Sequence, residues 1–268
     1  MINGKEAYQI SVFDHGLLYG DGVYETIRIF KGRAFFLNDH IDRLFASAKG
    51  IFLNPPYSQK ELISLIKSAY RKAKLDDAFL RIIITRGIGA QGLSSKAKPN
   101  VIIIFNQRQS RPLEKINLTV SKIRRVSKTA IDSRIKSLNY MNNILARLQA
   151  KNKGFDDAIL LNESDEVTEA TTSNIFMVIK GEIYTPSADS GILEGITRKV
   201  ICHNFPVKEK VLSVKDLLSA DEVFLSGSVN LITSAAKIDK KTFKHFAYAN
   251  KVYKTLIILS KKGVKLYE

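Results

Sequence analysis

Apolar positions recur along this chain with two periods, and the switches between them separate strands from helices. Alternation with period two marks Val23-Tyr24-Glu25-Thr26-Ile27-Arg28-Ile29-Phe30 as a strand, closed by a Lys31-Gly32 turn. Its β-branched and aromatic residues suit a pleated, half-buried surface. One face then carries Val23, Glu25 and Ile27, and the other Tyr24, Thr26 and Arg28, which sets an aromatic, a hydroxyl and a guanidinium in a row. That row is either a pocket wall or the mixed outer face of an edge strand. Residues 8–13 read as a preceding strand, and residues 14–22, with Gly16, Gly20 and Gly22, as a tight loop between the two.

The helical period takes over at Ile41, Leu44, Phe45 and Ala48, predicting a helix to about Lys49 that Asn38 or Asp39 caps. A second helix starts at the capping box Ser58-Gln59-Lys60-Glu61, with Leu62, Leu65, Ile66 and Ala69 as its buried stripe. Strands follow at 79–85 and 101–105 around a glycine-rich loop at 87–92, and Arg81 inside the first is a charge that needs a partner or a ligand. The polar stretch 106–112 marks the expected boundary, giving domains at 1–110 and 111–268. Beyond it come a strand at 117–123, a basic loop, and a helix on which Met141, Leu145 and Leu148 recur, with Lys136 at its entrance. Strands at 158–161 and 175–179, a Lys180-Gly181 hairpin, a helix after Gly195, a short helix at 214–218, strands at 222–225 and 231–232 and a helix from Phe246 complete the chain.

At 268 residues the chain can bury a sizeable core, and 45% hydrophobic with 25% charged residues describes an ordinary globular protein. No apolar run reaches membrane-spanning length, and Met1-Ile2-Asn3-Gly4-Lys5-Glu6 has no apolar signal core behind it, so the expected address is the cytoplasm. The single cysteine, Cys202, excludes an internal disulfide and reads as a small buried hydrophobe. His15, His40, His203 and His245 show no ligand spacing, so no metal is expected. The formal charge of +16 is spread from end to end, a basic surface that favours anionic substrates and an anionic cofactor.

Chemistry concentrates between Arg134 and Arg198. Lys136, beside Leu138 and Tyr140, is a candidate covalent amine, although an ordinary solvated lysine reads the same way. Glu169, in a β-rich segment, is a candidate acid to hold a pyridine nitrogen, or an exposed strand-end carboxylate. Ile196 and Thr197, after Gly195, open a helix whose N–H groups suit a phosphate. Ser226-Gly227-Ser228 is a second turn rich in donors, and Arg43 offers a charge.

Together these segments resemble the fold-type IV pyridoxal phosphate enzymes, the class IV group of branched-chain and D-amino-acid aminotransferases and aminodeoxychorismate lyase. The resemblance rests on residues 14–25, His40-Ile41-Asp42-Arg43-Leu44, Lys136-Ser137-Leu138-Asn139-Tyr140, Thr168-Glu169 through Asn174, and Gly195-Ile196-Thr197-Arg198. It implies an α/β (α+β) fold of a small N-terminal α/β domain and a larger C-terminal pseudo-barrel domain, with the cofactor, pyridoxal 5'-phosphate, between them. It implies that Lys136 binds the cofactor covalently, Glu169 holds its ring nitrogen and Tyr140 lies near its ring oxygen. Arg43, Ile196, Thr197 and Ser228 fall where the phosphate is held, and Leu193 where an aliphatic side chain packs under the ring. Tyr24, Thr26, Arg28 and Arg81 are the expected substrate contacts, and a homodimer is the expected assembly.

Within the family the signals divide. Thr26 stands where branched-chain enzymes commonly have glycine, as lyases often do, and residues 11–16 and 184–195 also look similar to some lyases. Phe79-Leu80-Arg81 and Lys136 through Asn143 resemble branched-chain enzymes instead, and Arg86-Gly87-Ile88 lacks the Arg-x-His clamp of the D-amino-acid enzymes. Ser226 through Asn230 fits neither pattern, and Thr233-Ser234 lacks the usual proline. The expected activity is amino transfer between a branched-chain amino acid and 2-oxoglutarate, with aminodeoxychorismate lyase as the alternative. A non-catalytic basic protein binding nucleic acid on the same fold is a further one. No specific nucleic-acid partner and no membrane are expected.

Overall fold

Strand β1 (Gly22–Phe30), which follows the short helix α1 (His15–Tyr19), is central to an antiparallel sheet. In chain order come β2 (Arg33–Ala34), α2 (Leu37–Gly50), α3 (Gln59–Ala73), β3 (Asp77–Gly89) and β4 (Ala97–Gln107). With Val264–Lys265 on the far edge the five-stranded order is Val264–Lys265, β2, β1, β3, β4. The computed structural model describes every residue except 74, 90, 91, 93–96, 108–113 and 268. Two compact units emerge, one of Met1–Ser110, Ile135–Asn139 and Ile258–Glu268, the other of Arg111–Arg134 and Tyr140–Ile257. The expected boundary at residue 110 lies outside the described residues.

In the first unit Val23, Ile27 and Ile29 of β1 join Leu80, Ile82 and Ile84 of β3 beneath Ile41 and Leu44 of α2 and Leu62 and Ile66 of α3. Each such side chain contributes roughly 1.5–3 kcal/mol by leaving water. The α3 capping box forms, with Ser58 N–H and Oγ donating to Glu61 and Glu61 N–H donating back to Ser58 Oγ. Four local expectations change. Residues 8–13 form no strand, and Tyr8 and Val12 stay exposed. Residues 14–22 hold helix α1, because the Asp14 side chain accepts from Gly16 N–H and Gly20 closes the turn at φ 67°. Helix α2 starts earlier than expected, from Phe36 in the left-handed region, so Asn38 and Asp39 lie inside it and do not cap it. Strand β3 runs on to Gly89 through a register shift after Thr85, where a Cβ on Gly87 would lie 1.7 Å from Lys98 O.

The second unit comprises β5 (Lys115–Val120), α4 (Met141–Asn152), β6 (Asp157–Leu161), β7 (Val167–Ala170), β8 (Asn174–Ile179), β9 (Glu182–Pro186), α5 (Ile196–Asn204), β10 (Val207–Lys210), α6 (Val214–Ser219), β11 (Glu222–Gly227), β12 (Leu231–Ile238), β13 (Lys241–Thr242) and most of α7 (Ala247–Ser260). Its nine-stranded sheet runs β10-β9-β8-β11-β12-β5-β6-β7, and β7 pairs back onto β8 through Glu169 and Asn174. The path from β8 round to β7 therefore closes on itself, which makes this sheet the pseudo-barrel and leaves no free edge along the ring. Leu118, Ile159, Ile175, Met177, Val223 and Leu225 fill its apolar core.

Helix α4 corrects a sequence expectation. It buries Asn143, Ala146 and Ala150, with the two alanines packed against Ala158 and Leu160 of β6, and leaves Met141, Ile144, Leu145 and Leu148 exposed. The apolar period was right, but small residues give closer approach to the sheet, so the large ones face outward. Cys202, expected as a buried hydrophobe, is half-buried on α5, and burial pushes its thiol pKa up.

Candidate active site

Lys136 stands in an extended segment and not at a helix entrance. Tyr24 N–H donates to Lys136 O at 3.0 Å, Leu138 N–H donates to Gly22 O at 3.0 Å, and Ser137 bridges Val23. This pairing with the start of β1 takes up the backbone groups that a helix would use, so α4 begins only at Met141. From the other side Lys136 N–H donates to Ser47 Oγ on α2 at 3.1 Å. The amine Nζ then lies 4.7 Å from the centre of the Tyr24 ring, and the Arg81 guanidinium lies 4.5 Å from the same ring. Arg81 is directly opposite Thr26 in the β1–β3 register, and its buried Nε has no hydrogen-bond partner among the described residues. The expected row therefore divides. Tyr24 and Thr26 gather with Arg81, while Arg28 pairs with Asp77 at 2.7 Å.

The other face of β1 holds a cluster that sequence reasoning missed. Glu25 is fully buried and accepts from Arg43 Nε at 2.6 Å, Arg43 Nη2 at 2.9 Å and His40 Nδ1 at 2.7 Å. Burial alone would raise its pKa, but the charges and hydrogen bonds of Arg43 and His40 outweigh that and lower it to about 2. Burial pushes the His40 pKa down against the opposing pull of Glu25, and the ring donates from Nδ1 to the carboxylate. Arg43, expected at a phosphate, is thus tied to Glu25 on two sides. The usable signal was the spacing of His40, Arg43 and Ser47 on one face of α2, a polar stripe in an apolar interface.

In the second unit Glu169 sits at the pair that closes the barrel and is 6% exposed, so the exposed strand-end reading fails. Its Oε1 accepts from Arg125 Nε at 2.7 Å, and Oε2 accepts from Leu193 N–H at 3.1 Å and Asn174 Nδ2 at 3.2 Å. Asn174 also donates to Leu193 O at 2.8 Å. A Cβ on Gly195 would lie 2.0 Å from Asn174 Oδ1, and that side chain is locked by its two bonds, so the loop into α5 needs glycine there.

Helix α5 starts with no side-chain cap, which leaves its first N–H groups to a ligand or water. Ile196 and Thr197 open it and are both buried, and Thr197 Oγ1 has no partner among the described residues. Ser226 Oγ, opposite Asn174 in the β8–β11 register, is likewise buried and unpartnered. Ser228 lies in the turn after β11, Tyr140 directly precedes α4, and Leu193 is half-buried. Asn174 closed a segment that carried the resemblance and Ser226 opened the donor-rich turn, whereas Arg125 had no signal in the sequence beyond its charge.

These features fit pyridoxal phosphate. Orphaned buried hydroxyls at an uncapped helix start suit a phosphate, and a carboxylate held by fixed donors suits a ring nitrogen. Among the described residues no group of three or more His, Cys, Asp or Glu side chains could hold a metal ion, and no helix is long and apolar enough to cross a membrane.

Comparison with known proteins gives the same direction. Residues 22–238 match the model of the family described as amino-transferase class IV. A protein of Methanocaldococcus jannaschii that carries the name of a branched-chain-amino-acid aminotransferase is 37% identical, over 100% of this chain and 96% of its own. The aminodeoxychorismate lyase of Bacillus subtilis is 33% identical, over 96% and 90%. Among solved structures, the branched-chain aminotransferase of Thermoproteus uzoniensis with norvaline superposes with a TM-score of 0.92 at 30% identity, covering 98% of this chain and 94% of that one.

Proposed function

The chain belongs to the class IV amino-transferases, and from that membership we propose that it transfers the amino group of a branched-chain amino acid to 2-oxoglutarate. Its cofactor is pyridoxal 5'-phosphate. The observation that carries the substrate assignment is Arg81, whose guanidinium stacks on Tyr24, the ring that Lys136 also approaches, with a buried nitrogen left over. Both partners in an amino transfer carry a carboxylate, and a guanidinium is the group that holds one by paired hydrogen bonds. The Asp77 contact at Arg28 makes Arg81 the better of the two arginines for that task.

When bound, the cofactor supplies a ring that accepts the electron pair left by removal of the substrate Cα proton. Lys136 would be the amine that holds the cofactor and the base that moves that proton. Glu169 would accept from the ring nitrogen, Tyr140 would lie near the ring oxygen and Leu193 would pack against the ring. Ile196 and Thr197 would hold the phosphate through N–H groups and a hydroxyl, with Ser228. Tyr24 and Thr26 border the substrate. The protein works in the cytoplasm as a homodimer, for which the apolar stripe on α4 supplies a surface that meets its own copy.

Thr26, directly across from Arg81, favours a second reading, aminodeoxychorismate lyase, because its hydroxyl stands beside a carboxylate-binding group. The two differ in the cofactor state left behind. An L-branched amino acid alone should convert the cofactor to its amine form and 2-oxoglutarate should restore the original spectrum. If no L- or D-amino acid does so while aminodeoxychorismate yields pyruvate and p-aminobenzoate, the lyase reading replaces the first. Pure protein that takes up no cofactor and binds nucleic acid would overturn both.

A further inference from the structure

The donors at Glu169 divide unequally between its two oxygens, and that division carries an inference resting on the pyridoxal phosphate reading. A carboxylate oxygen has two lone pairs in its plane. Those of Oε2 are occupied by Leu193 N–H at 3.1 Å and Asn174 Nδ2 at 3.2 Å. Among the described residues Oε1 accepts only from Arg125 Nε, at 2.7 Å, which leaves one lone pair. We propose that Oε1 is the oxygen that accepts from the cofactor's ring N–H, and that Arg125 is the positioning residue that keeps the proton on that nitrogen.

The argument is one of charge. The Glu169 side chain is 8% exposed and that of Arg125 15%. A buried carboxylate surrounded by neutral donors relieves its charge by drawing over the nearest available proton, here the one on the ring nitrogen. A guanidinium on Oε1 compensates the carboxylate beforehand, so the proton has less reason to leave the ring. The Arg125 backbone is anchored, since its N–H donates to Leu161 O at 2.8 Å, and Arg125 lines a cleft of about 310 Å³ with Asn162, Glu166 and Ser190.

The test uses wild type, Arg125→Gln and Arg125→Lys, each loaded with cofactor carrying ¹⁵N in the ring. The ring-nitrogen shift reports the proton, and borohydride fixation at Lys136 separately reports loading. Wild type should show a protonated ring at neutral pH, Arg125→Gln a bare nitrogen with loading retained, and Arg125→Lys a return to the protonated signal. Single-turnover Cα proton loss should fall about 10- to 100-fold in Arg125→Gln. A protonated ring in Arg125→Gln, or a bare one in Arg125→Lys, overturns the role of Arg125. If Arg125→Gln does not fold, the Arg125→Lys spectrum decides alone. A wild type that fixes no cofactor at Lys136 removes the underlying reading too, whereas a loaded wild type with a bare ring nitrogen overturns only this inference.

Discussion

Replacing Glu25 with glutamine preserves its shape and removes one charge from a fully buried cluster. The Arg43 side chain, 12% exposed, then keeps its charge without the carboxylate that faces it on two sides. Removing one partner of such a pair typically costs about 3–5 kcal/mol. The proton equilibrium gives a matching figure, because a carboxyl lowered from 4.5 to about 2 on folding stabilises the fold by about 3 kcal/mol once ionised in both states. We expect Glu25→Gln to lose about 3 kcal/mol at pH 7, a fall in Tm of about 6–12 °C for a chain of this size. Since the folded pKa lies below the unfolded one, this stability is complete above about 4.5 and disappears as the pH falls toward 2. Urea denaturation of both proteins from pH 7 downward should show a difference that shrinks below the ordinary carboxylate range, other carboxylates cancelling between the two. A difference below about 1 kcal/mol at pH 7 would refute the reasoning. So would a difference that persists undiminished near pH 2.5, about the end of that titration.

Lys136→Ala should leave no cofactor fixed by borohydride, and peptide mapping that finds the label on another lysine would refute the assignment. Thr197→Val should weaken binding of pyridoxal phosphate by about tenfold, the loss of one hydrogen bond to a charged group, without lowering Tm, because the hydroxyl removed has no partner among the described residues. An unchanged Kd would remove Thr197 from the phosphate. Leu145→Glu should convert the proposed dimer to monomer by sedimentation, and a dimer that survives would place the contact elsewhere.

The sequence made β1 legible because alternation, β-branched residues and a Lys-Gly turn all agreed, and the Ser58 capping box because it is a local exchange of hydrogen bonds. Glu25 stayed hidden for a physical reason. Alternation put it on the core side with Val23 and Ile27, but only the folded chain brings His40 and Arg43 of α2 to meet it. The α4 stripe shows a different limit, since periodicity identifies a helical face without saying whether alanines or leucines will meet the sheet. Lys136 was found by type and neighbours, while its extended conformation depends on pairing with β1 far away in sequence. Arg125 and Asn174 converge on Glu169 through the closure of the barrel, which no local pattern announces.

That distant pairing bears on how the protein is made. Ser47 and Lys136, which hydrogen-bond, are 89 residues apart in the chain. A nascent polypeptide can build β1 and α2 early, yet the place beside them stays vacant until synthesis has passed residue 139 and the loop has closed, a slow and entropically costly event. The reactive amine thus arrives in the first unit well after β1 and α2, though before the Val264–Lys265 edge strand. Attachment of the cofactor at Lys136 during refolding would therefore report that this long-range closure has formed.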